Sequence, residues 1–568
     1  MPRIHKKRYP LYLSVAAVLS IGTSVYSSSV FADRLATYDG VSAEALLTQK
    51  AGVDGALEAL VHSKEVKAFL SNHKALVEFY TAREFDPVWV GSNRVKSSGK
   101  DMFELVEESW LHGLNPYAYH MEALSARMNE RGQDNLAYVE LLLTDAYLRL
   151  GHDLSGIRVN PARFKSHKRF WKQPLSSDVL LSNLQQYGRD IDGLVNGYAP
   201  RGQTYKALQK ELEALAGAEP EPYEAFLPIR PRGLLKPFER DQAVPALRVR
   251  LGIDAPQTED ELLYDDQLAA AVIKFQRDND LTDDGLVGKQ TLEILNKSRK
   301  DRINQLIANL ERLRWVEDEK PEDFVVVNVP SATLWAIEDN RVAFEMPVIV
   351  GRSKRPTNIF RTEITGLRLN PDWTVPPTIK KEDIVPKLQE DPEYLMQKGM
   401  QLISGRGEGA MTLDPASMDW TEVSEEELTA LRMVQVPGRN NPLGLYRVHM
   451  PNSYNIYLHD TNEKYLFDRA SRAASSGCIR MKDPERMAHF IMKQRPGWSQ
   501  DRHDRILASA EKTDLYIRDP IPVYILYYTA WLDSSGRIIY GQDLYDFDRN
   551  LIKMLRDIDG IFIPVDNT

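Results

Sequence analysis

Two side chains that could together perform acyl transfer lie nineteen residues apart in the C-terminal part of the chain. Cys478 is the only cysteine among 568 residues, so it cannot form an intrachain disulfide. It follows Ser475-Ser476-Gly477, a run that favours a tight turn whose backbone N–H groups can bind an oxyanion. His459 ends an apolar run, and a neighbouring strand could bring it to the sulfur. A thiol, an imidazole and a donor-rich turn are the parts needed to form and resolve a thioester.

The residues around this pair predict how it is arranged. A strand over 454–459 places Tyr457 on the same face as His459, looking toward Cys478, which makes Tyr457 a candidate substrate-binding residue. Arg480 brings positive charge near the sulfur, which favours the thiolate, and it is a candidate for pairing with a substrate carboxylate. One expected resting form is therefore an imidazolium–thiolate pair. The alternative is a core strand that ends in a hydrogen-bonded histidine without a catalytic role.

The run His459-Asp460-Thr461, a spacer and then Ser475-Ser476-Gly477-Cys478-Ile479-Arg480 resembles the signature of the YkuD-type L,D-transpeptidases, which cross-link peptidoglycan. Most of that family carries His where Ser476 stands, and the larger YcbB-like branch is similar to this chain in having Ser there. The resemblance implies Cys478 as the nucleophile and His459 as general base and acid. Ser476 and Gly477 belong to the turn expected to hold the oxyanion. Sortases have wider spacing, and cysteine amidases of the cell wall have the reverse order.

The same resemblance implies a substrate and partners. The expected reaction forms 3→3 cross-links between meso-diaminopimelate residues of peptidoglycan stem peptides, and carbapenem β-lactams are expected to acylate the thiol. Other cell-wall synthesis enzymes are possible partners. The sequence has no metal-ligand cluster, phosphate loop or nucleotide fingerprint, so it implies no metal and no cofactor. The alternatives are an L,D-carboxypeptidase, a lipoprotein-attaching transpeptidase with the same site, and a non-catalytic peptidoglycan-binding protein.

Composition and the N-terminus predict where the protein works. A formal charge of −9 and a pI near 5.8 argue against a nucleic-acid or anionic-membrane binder. Basic residues at positions 3 and 6–8 precede an apolar run over about 9–25, and Val30-Phe31-Ala32 offers a cleavage site. Residues 1–32 are therefore expected to be a signal peptide cleaved after about Ala32, or a retained inner-membrane anchor. The expected compartment is the periplasm of a Gram-negative bacterium.

The expected fold class is multidomain α+β, with a helical N-terminal half. Residues 33–236 predict a helical scaffold domain that ends in a proline-rich linker, and its run Phe79-Tyr80-x-x-Arg83…Pro87-x-Trp89 resembles the YcbB-like scaffold. Residues 237–298 predict a small helical unit, in which Asp265 or Asp266 caps a helix. Its Asp284-Gly285-x-Val287-Gly288 run resembles the three-helix peptidoglycan-binding module, which implies three helices here; the alternative is a structural insert that binds nothing. Residues 299–323 form a helical connector.

From residue 324 the pattern changes to the period of a strand, and residues 324–568 predict a mainly-β catalytic domain. Strands are expected at 324–329, 333–338, 342–350, 365–370, 445–450 and 454–459, with a terminal hairpin formed by 521–528 and 538–540. Asp483 is expected to cap a helix that begins at Pro484. Between about 378 and 433 the strands are expected to stop. This insertion is predicted to be a capping subdomain over the Cys478 cleft, and the alternative is a solvated excursion.

Overall fold

A computed structural model describes residues 52–218, 228–254, 260–279, 281–318, 320–405, 407–493 and 495–561 of the chain. The expected export segment, residues 1–32, lies outside these ranges, and so does the first half of the proline-rich linker. None of the helices within the described ranges has both the length and the apolar composition that crossing a bilayer requires.

The N-terminal region is built around one long helix that is buried along most of its length, Gln133–Ser155. Several shorter amphipathic helices surround it and bury an apolar face against it, whereas Gln203–Ala216 packs on the helix Arg299–Leu313. In chain order the helices are α1 (Val53–Val61), α2 (Lys64–Lys67), α3 (His73–Ala82), α4 (Ser97–Glu107), α5 (Met121–Arg127), α6 (Gln133–Ser155), α7 (Ser177–Tyr187), α8 (Ile191–Asn196) and α9 (Gln203–Ala216), with 3₁₀ turns at Glu108–His112, Pro116–Tyr119, Pro161–Phe164 and Lys168–Phe170.

A buried carboxylate on α6 organises the aromatic run that precedes α4. Glu140 is fully buried and accepts hydrogen bonds from the Tyr80 hydroxyl at 2.7 Å and from the backbone N–H of Trp89 at 2.8 Å. The N–H groups of Val88 and Val90 donate to the same carboxylate. A buried carboxylate is tolerated when such donors surround it, so this run has a structural role in the scaffold.

The small helical unit has a hydrophobic core of its own. It contains α10 (Val244–Leu251), α11 (Asp266–Asp278) and α12 (Lys289–Leu295). Asp265 caps α11 by accepting a hydrogen bond from the Leu268 N–H, which selects between the two caps that the sequence allowed. The connector α13 (Arg299–Leu313) follows, and its Asn309 side chain exchanges hydrogen bonds with Thr529 of the β domain. The helical connector is therefore tied directly to the sheet.

The C-terminal region is dominated by a nine-stranded sheet. Its strands are β1 (Phe324–Asn328), β2 (Thr333–Glu338), β3 (Arg341–Gly351), β4 (Phe360–Leu369), β9 (Tyr446–His449), β10 (Leu458–His459), β11 (Ala473–Ser475), β12 (Ile479–Met481) and β13 (Thr513–Leu526). They are arranged in the order β11-β3-β12-β10-β9-β4-β13-β1-β2. Because β2 also pairs with β3, the strands from β3 to β2 form a closed sheet.

The insertion before β9 forms a second, separate sheet, so the expectation that strands stop there is wrong. Its strands are β5 (Trp373–Thr374), β6 (Met400–Ser404), β7 (Met411–Leu413) and β8 (Leu431–Gln435), in the order β5-β8-β6-β7. Helices α14 (Pro377–Ile379), α15 (Val385–Glu390), α16 (Tyr394–Gln397) and α17 (Glu425–Ala430) pack with it, together with a π-helical turn at Lys380–Ile384 and 3₁₀ turns at Gly407–Gly409 and Pro415–Ser417. Leu388, Leu402 and Met433 lie in its own fully buried core.

The tail differs from the expected terminal hairpin. Residues 521–526 belong to β13, which lies between β4 and β1 within the large sheet. The hairpin is formed instead by β14 (Ala530–Leu532) and β15 (Ile538–Tyr540). After it comes α20 (Phe547–Asp559), while α18 (Pro484–Met492), capped by Asp483 as predicted, and α19 (Gln500–Ser509) precede β13. A 3₁₀ turn at Lys464–Asp468 follows β10. These elements confirm the predicted fold class: a helical N-terminal region, a small helical module and a mainly-β domain.

Candidate active site

The register of two short parallel strands brings the predicted pair together. Leu458 pairs with Ile479 and His459 pairs with Arg480. Because side chains alternate along a strand, Tyr457 and His459 lie on the same face as Cys478 and Arg480. The opposite face is apolar, since Leu458 and Ile479 are fully buried. The strand is shorter than the expected 454–459: Asn455 has a φ of +55°, so an extended run cannot begin before it.

His459 is a buried imidazole whose tautomer is defined by its neighbour. Its side chain is 3% exposed, and Nδ1 lies 2.5 Å from the backbone oxygen of Asp460. A carbonyl can only accept, so Nδ1 carries the proton and Nε2 keeps its lone pair. Burial, followed by the positive charges of Arg480 and Arg447, lowers the pKa of His459 to about 3. At neutral pH the ring is therefore uncharged, with Nε2 available as a base.

Burial favours the uncharged form of Cys478 as well. Desolvation raises the pKa of the thiol above its ordinary value of 9.0 and outweighs the opposite effects of the Tyr457 backbone, Arg480 and Arg447. The sulfur is partly exposed, and it lies 3.7 Å from the backbone oxygen of Asn455, to which the thiol donates. Both residues of the pair are described, and no hydrogen bond joins the sulfur to the His459 ring. Burial disfavours both charges, which argues against the expected imidazolium–thiolate pair in the resting site.

These pKa directions predict how the thiol reacts with a small electrophile. The thiolate is the reactive form, so iodoacetamide alkylation of Cys478 should accelerate about tenfold per pH unit from pH 6 to pH 9, with its inflection above 9. The measurement is the rate of adduct formation by intact-mass spectrometry across this range, with N-acetylcysteine as the unburied reference. A rate that is already level between pH 5 and pH 7 would restore the imidazolium–thiolate pair.

The turn before the cysteine is held by side-chain hydroxyls. Ser475 Oγ donates to the Cys478 carbonyl at 2.6 Å and accepts from the Gly477 N–H at 3.1 Å. Thr357 Oγ1 donates to the Gly477 carbonyl at 2.8 Å, and Gly477 has a φ of +113°, which glycine adopts without strain. The Gly477 N–H is therefore occupied. The amides of Ser476 and Cys478 remain the predicted oxyanion donors.

An arginine that the sequence reasoning missed connects this turn to the insertion. Arg355 donates to Ser476 Oγ at 3.1 Å. The same guanidinium forms ion pairs with Glu382 and Asp383, each at 2.5 Å. Both carboxylates belong to the π-helical turn Lys380–Ile384 of the insertion. The side chain of Arg355 therefore links the insertion to Ser476, two residues before the candidate nucleophile, and we call this set of contacts the Arg355 bridge.

Asp460, the residue after the candidate base, has a structural role. Its carboxylate accepts hydrogen bonds from the N–H of Leu445 at 2.9 Å and of Thr461 at 2.7 Å, and it pairs with Lys464 at 2.5 Å. Gly444 lies directly against it: with a φ of +57°, a Cβ at this position would overlap the Asp460 carboxylate. The close approach of Gly444 thus fixes the backbone segment whose carbonyl orients His459.

Arg480, predicted to meet a substrate carboxylate, already has a partner. Its Nη1 pairs with Glu463 at 2.5 Å, and Glu463 comes from the 459–480 spacer. The pair braces the two ends of that spacer. Tyr457 lies on the expected face, and the Arg447 guanidinium stacks on its ring at 4.2 Å from the centroid.

One cluster elsewhere has the residue types of a metal site. Donor atoms of Glu485, His489 and His503 lie within 4.8 Å of one another. However, Trp498 Nε1–H donates to His489 Nδ1 at 3.2 Å, so the neutral ring carries its proton on Nε2, the nitrogen that lies 3.8 Å from Glu485. His503 Nδ1 is likewise bonded to Asp504 at 2.8 Å. The hydrogen bonds present therefore do not suit a metal ion, and we assign none.

A large cleft lies between the small module and the β domain. It has a volume of about 1390 Å³ and is lined by residues of both parts, including Gln276, Lys289, Arg352 and Asp546. Neither Cys478 nor His459 lines it. The candidate catalytic pair therefore lies outside this cleft.

Comparison with protein families assigns three parts of the chain. Residues 322–517 match the YkuD family, described as "L,D-transpeptidase catalytic domain", and residues 74–212 match a "Scaffold domain". Residues 249–295 match a "Putative peptidoglycan binding domain". The chain thus carries a YkuD-family L,D-transpeptidase catalytic domain together with a peptidoglycan-binding domain, and both candidate catalytic residues lie inside the matched range.

Individual relatives agree with this class. The chain is 34% identical over 255 residues to a "Putative L,D-transpeptidase" of Haemophilus influenzae, a match that covers 45% of this chain and 50% of the relative. The chain therefore spans about half the length of the curated relative it matches.

Two solved structures are also similar. The L,D-transpeptidase (Yku) of Stackebrandtia nassauensis is 12% identical, with 51% of this chain and 97% of that one covered and a TM-score of 0.18. A cysteine-to-serine mutant of the Enterococcus faecium L,D-transpeptidase is 10% identical, with 56% and 98% covered and a TM-score of 0.16. At TM-scores this low the likeness carries no structural argument.

Proposed function

We propose that this protein is a peptidoglycan L,D-transpeptidase that forms 3→3 cross-links between meso-diaminopimelate residues through a thioester on Cys478. The observation that carries the proposal is the shared sheet face of Cys478 and His459, inside the range that matches the catalytic domain. A neutral base with a free Nε2 and a neutral thiol beside it are what a proton-coupled attack requires. The donor is a tetrapeptide stem cleaved between diaminopimelate and D-alanine.

The first half-reaction transfers the acyl group to sulfur. The Cys478 S–H turns from the Asn455 carbonyl toward His459 Nε2, which takes the proton as the sulfur bonds to the carbonyl carbon. The carbonyl electron pair moves to oxygen, where the amides of Ser476 and Cys478 donate to it. When the C=O bond re-forms, the C–N bond breaks and the imidazolium returns its proton to the departing D-alanine amine. The low pKa of His459 makes that imidazolium a strong acid, which favours this return.

The second half-reaction reverses these roles with a new amine. The side-chain amine of another diaminopimelate attacks the thioester carbon, and His459 Nε2 accepts its excess proton. Collapse of the tetrahedral intermediate expels the sulfur, which regains a proton from the ring. Water can attack the same carbon, so the L,D-carboxypeptidase alternative uses the same residues. A lysine of a lipoprotein can attack it too. A non-catalytic wall binder would have no need of both Cys478 and His459.

The rest of the chain suits this work outside the cytoplasm. We propose that residues 1–32 export the protein to the periplasm of a Gram-negative bacterium, where the small module holds the peptidoglycan. Acylation of Cys478 by a carbapenem belongs to the same proposal, since the β-lactam carbonyl would enter the thioester position. The scaffold and the insertion suit an enzyme that engages two stems and keeps water from the thioester.

The products of a defined substrate test the proposal. With disaccharide-tetrapeptide, we expect 3→3 cross-linked dimers as the main product and free tripeptide as a minor hydrolytic one. The measurement is a time course by liquid chromatography and mass spectrometry. Tripeptide that accumulates without any dimer, even at high substrate concentration, would reassign the protein as an L,D-carboxypeptidase.

A further inference from the structure

Three arginines stand in one row across the sheet, with His459 among them. Arg368 of β4 is in register with Arg447 of β9, Arg447 with His459 of β10, and His459 with Arg480 of β12. Residues in register on neighbouring strands share a face, and the strands are about 4.8 Å apart. The row therefore places Arg447 immediately beside the candidate base, on the side opposite Arg480.

Among the residues that the structure describes, only the middle arginine of this row lacks an acidic partner. Arg368 holds Asp514 with two hydrogen bonds of 2.7 and 2.8 Å, and Arg480 pairs with Glu463. The Arg447 side chain forms no hydrogen bond and no ion pair with any residue in the described ranges. Its Nε is buried without a partner, and its guanidinium stacks on the Tyr457 ring.

A half-buried guanidinium in this position is poorly compensated. It has lost part of its hydration, its Nε has no hydrogen-bond partner, and the Tyr457 ring returns only a modest attraction. Its charge also contributes to the lowered pKa of His459. An anion bound to Arg447 would supply the missing partner of its guanidinium group. A carboxylate suits this role, because its two oxygens match the planar fork of arginine.

We propose that Arg447 binds the carboxylate next to the leaving amine in the first half-reaction and the carboxylate next to the attacking amine in the second. This inference rests on the proposed function. The departing D-alanine and the acceptor end of diaminopimelate are both α-amino acids, so each carries a carboxylate on the carbon next to the reacting nitrogen. The two amines occupy the same place in the two half-reactions. One arginine beside His459 therefore recognises both, and its ligand class is an α-amino carboxylate.

Binding to an enzyme that cannot turn over isolates this role. In the full-length Cys478→Ala background, we expect the tetrapeptide with a C-terminal carboxylate to bind about 10- to 100-fold more tightly than the same peptide with a C-terminal amide. Adding Arg447→Gln should bring the ratio close to one, and Arg447→Lys should restore part of it. Arg361→Gln is the matched control, since Arg361 stacks on Tyr524 at 5.3 Å from the same sheet. Isothermal titration calorimetry measures the dissociation constants, and thermal unfolding checks each variant.

The outcomes separate this inference from the proposed function. If Arg447→Gln keeps the wild-type preference for the carboxylate, the inference is overturned even when the intact enzyme makes cross-links. If the preference disappears with Arg447 while the intact enzyme makes no cross-links, the carboxylate site stands and the proposed reaction fails. A loss of preference in Arg361→Gln as well would also overturn the assignment, because the effect would not be specific to Arg447.

Discussion

The Cys478→Ala variant should lose at least about 10³-fold in turnover of disaccharide-tetrapeptide while its unfolding temperature stays close to that of the wild type. The side chain supplies the only thiol in the chain, and it is partly exposed, so alanine removes the nucleophile without leaving a large cavity. A carbapenem should add its full mass to the wild-type protein and nothing to the variant. The measurements are muropeptide chromatography and intact-mass spectrometry.

Because the chain has a single cysteine, the Cys478→Ala variant is a complete control for thiol modification of the wild type. Any thiol adduct on the wild type must be on Cys478, and the variant provides the blank for alkylation of other side chains. Product formation by Cys478→Ala at the wild-type rate would refute the thioester mechanism as a whole. An unfolding temperature that falls by many degrees would instead point to a structural role for the thiol.

The Gly444→Ala variant should lose about 10²-fold in activity and about 2–4 kcal/mol of folding free energy. The new methyl group overlaps the Asp460 carboxylate, and an L-residue at a φ of +57° is itself strained. Displacing Asp460 moves the carbonyl that orients His459, so chemistry and stability should fall together. Steady-state kinetics and urea unfolding measure the two effects.

The Gly399→Ala variant is the control for the backbone strain that alanine suffers at a positive φ. Gly399 has a φ of +64°, and a methyl group added to it would meet no atom within 4 Å. This variant should therefore lose only about 1–2 kcal/mol of folding free energy and keep its activity. If Gly444→Ala proves no worse than Gly399→Ala, the contact with Asp460 does not matter for the base.

The candidate pair, Cys478 and His459, could be selected from the sequence because the evidence for it is local, and its catalytic role remains a proposal. A cysteine in a Ser-Gly turn, a histidine at a strand end and the alternation around both are all contained in the segment 454–481. The cap of α18 at Asp483 and Pro484 is local in the same sense. Strand β13 was assigned to the wrong partner because an apolar run does not specify which neighbour it pairs with.

The electrostatics and the distant contacts could not be predicted in this way. Arg480 was expected to favour the thiolate, yet desolvation prevails, and desolvation depends on packing by elements far away in sequence. Arg355 is 121 residues from Ser476 and sits in no recognisable motif. The sequence does not distinguish Arg447 from the other arginines. Only the strand register shows that the arginines in its row are paired, whereas its own side chain has no acidic partner among the described residues.

The Arg355 bridge has a thermodynamic consequence for how the insertion behaves. Free-energy coupling between two contacts of one side chain is reciprocal: the degree to which the contact with Ser476 favours the contacts with Glu382 and Asp383 equals the degree to which those contacts favour the one with Ser476. If acylation of Cys478 moves the turn that contains Ser476, the contacts of Arg355 with the insertion should therefore differ in strength between the free and the acylated enzyme. Because both acidic partners are substantially solvent-exposed, added salt weakens this communication before it weakens the fold.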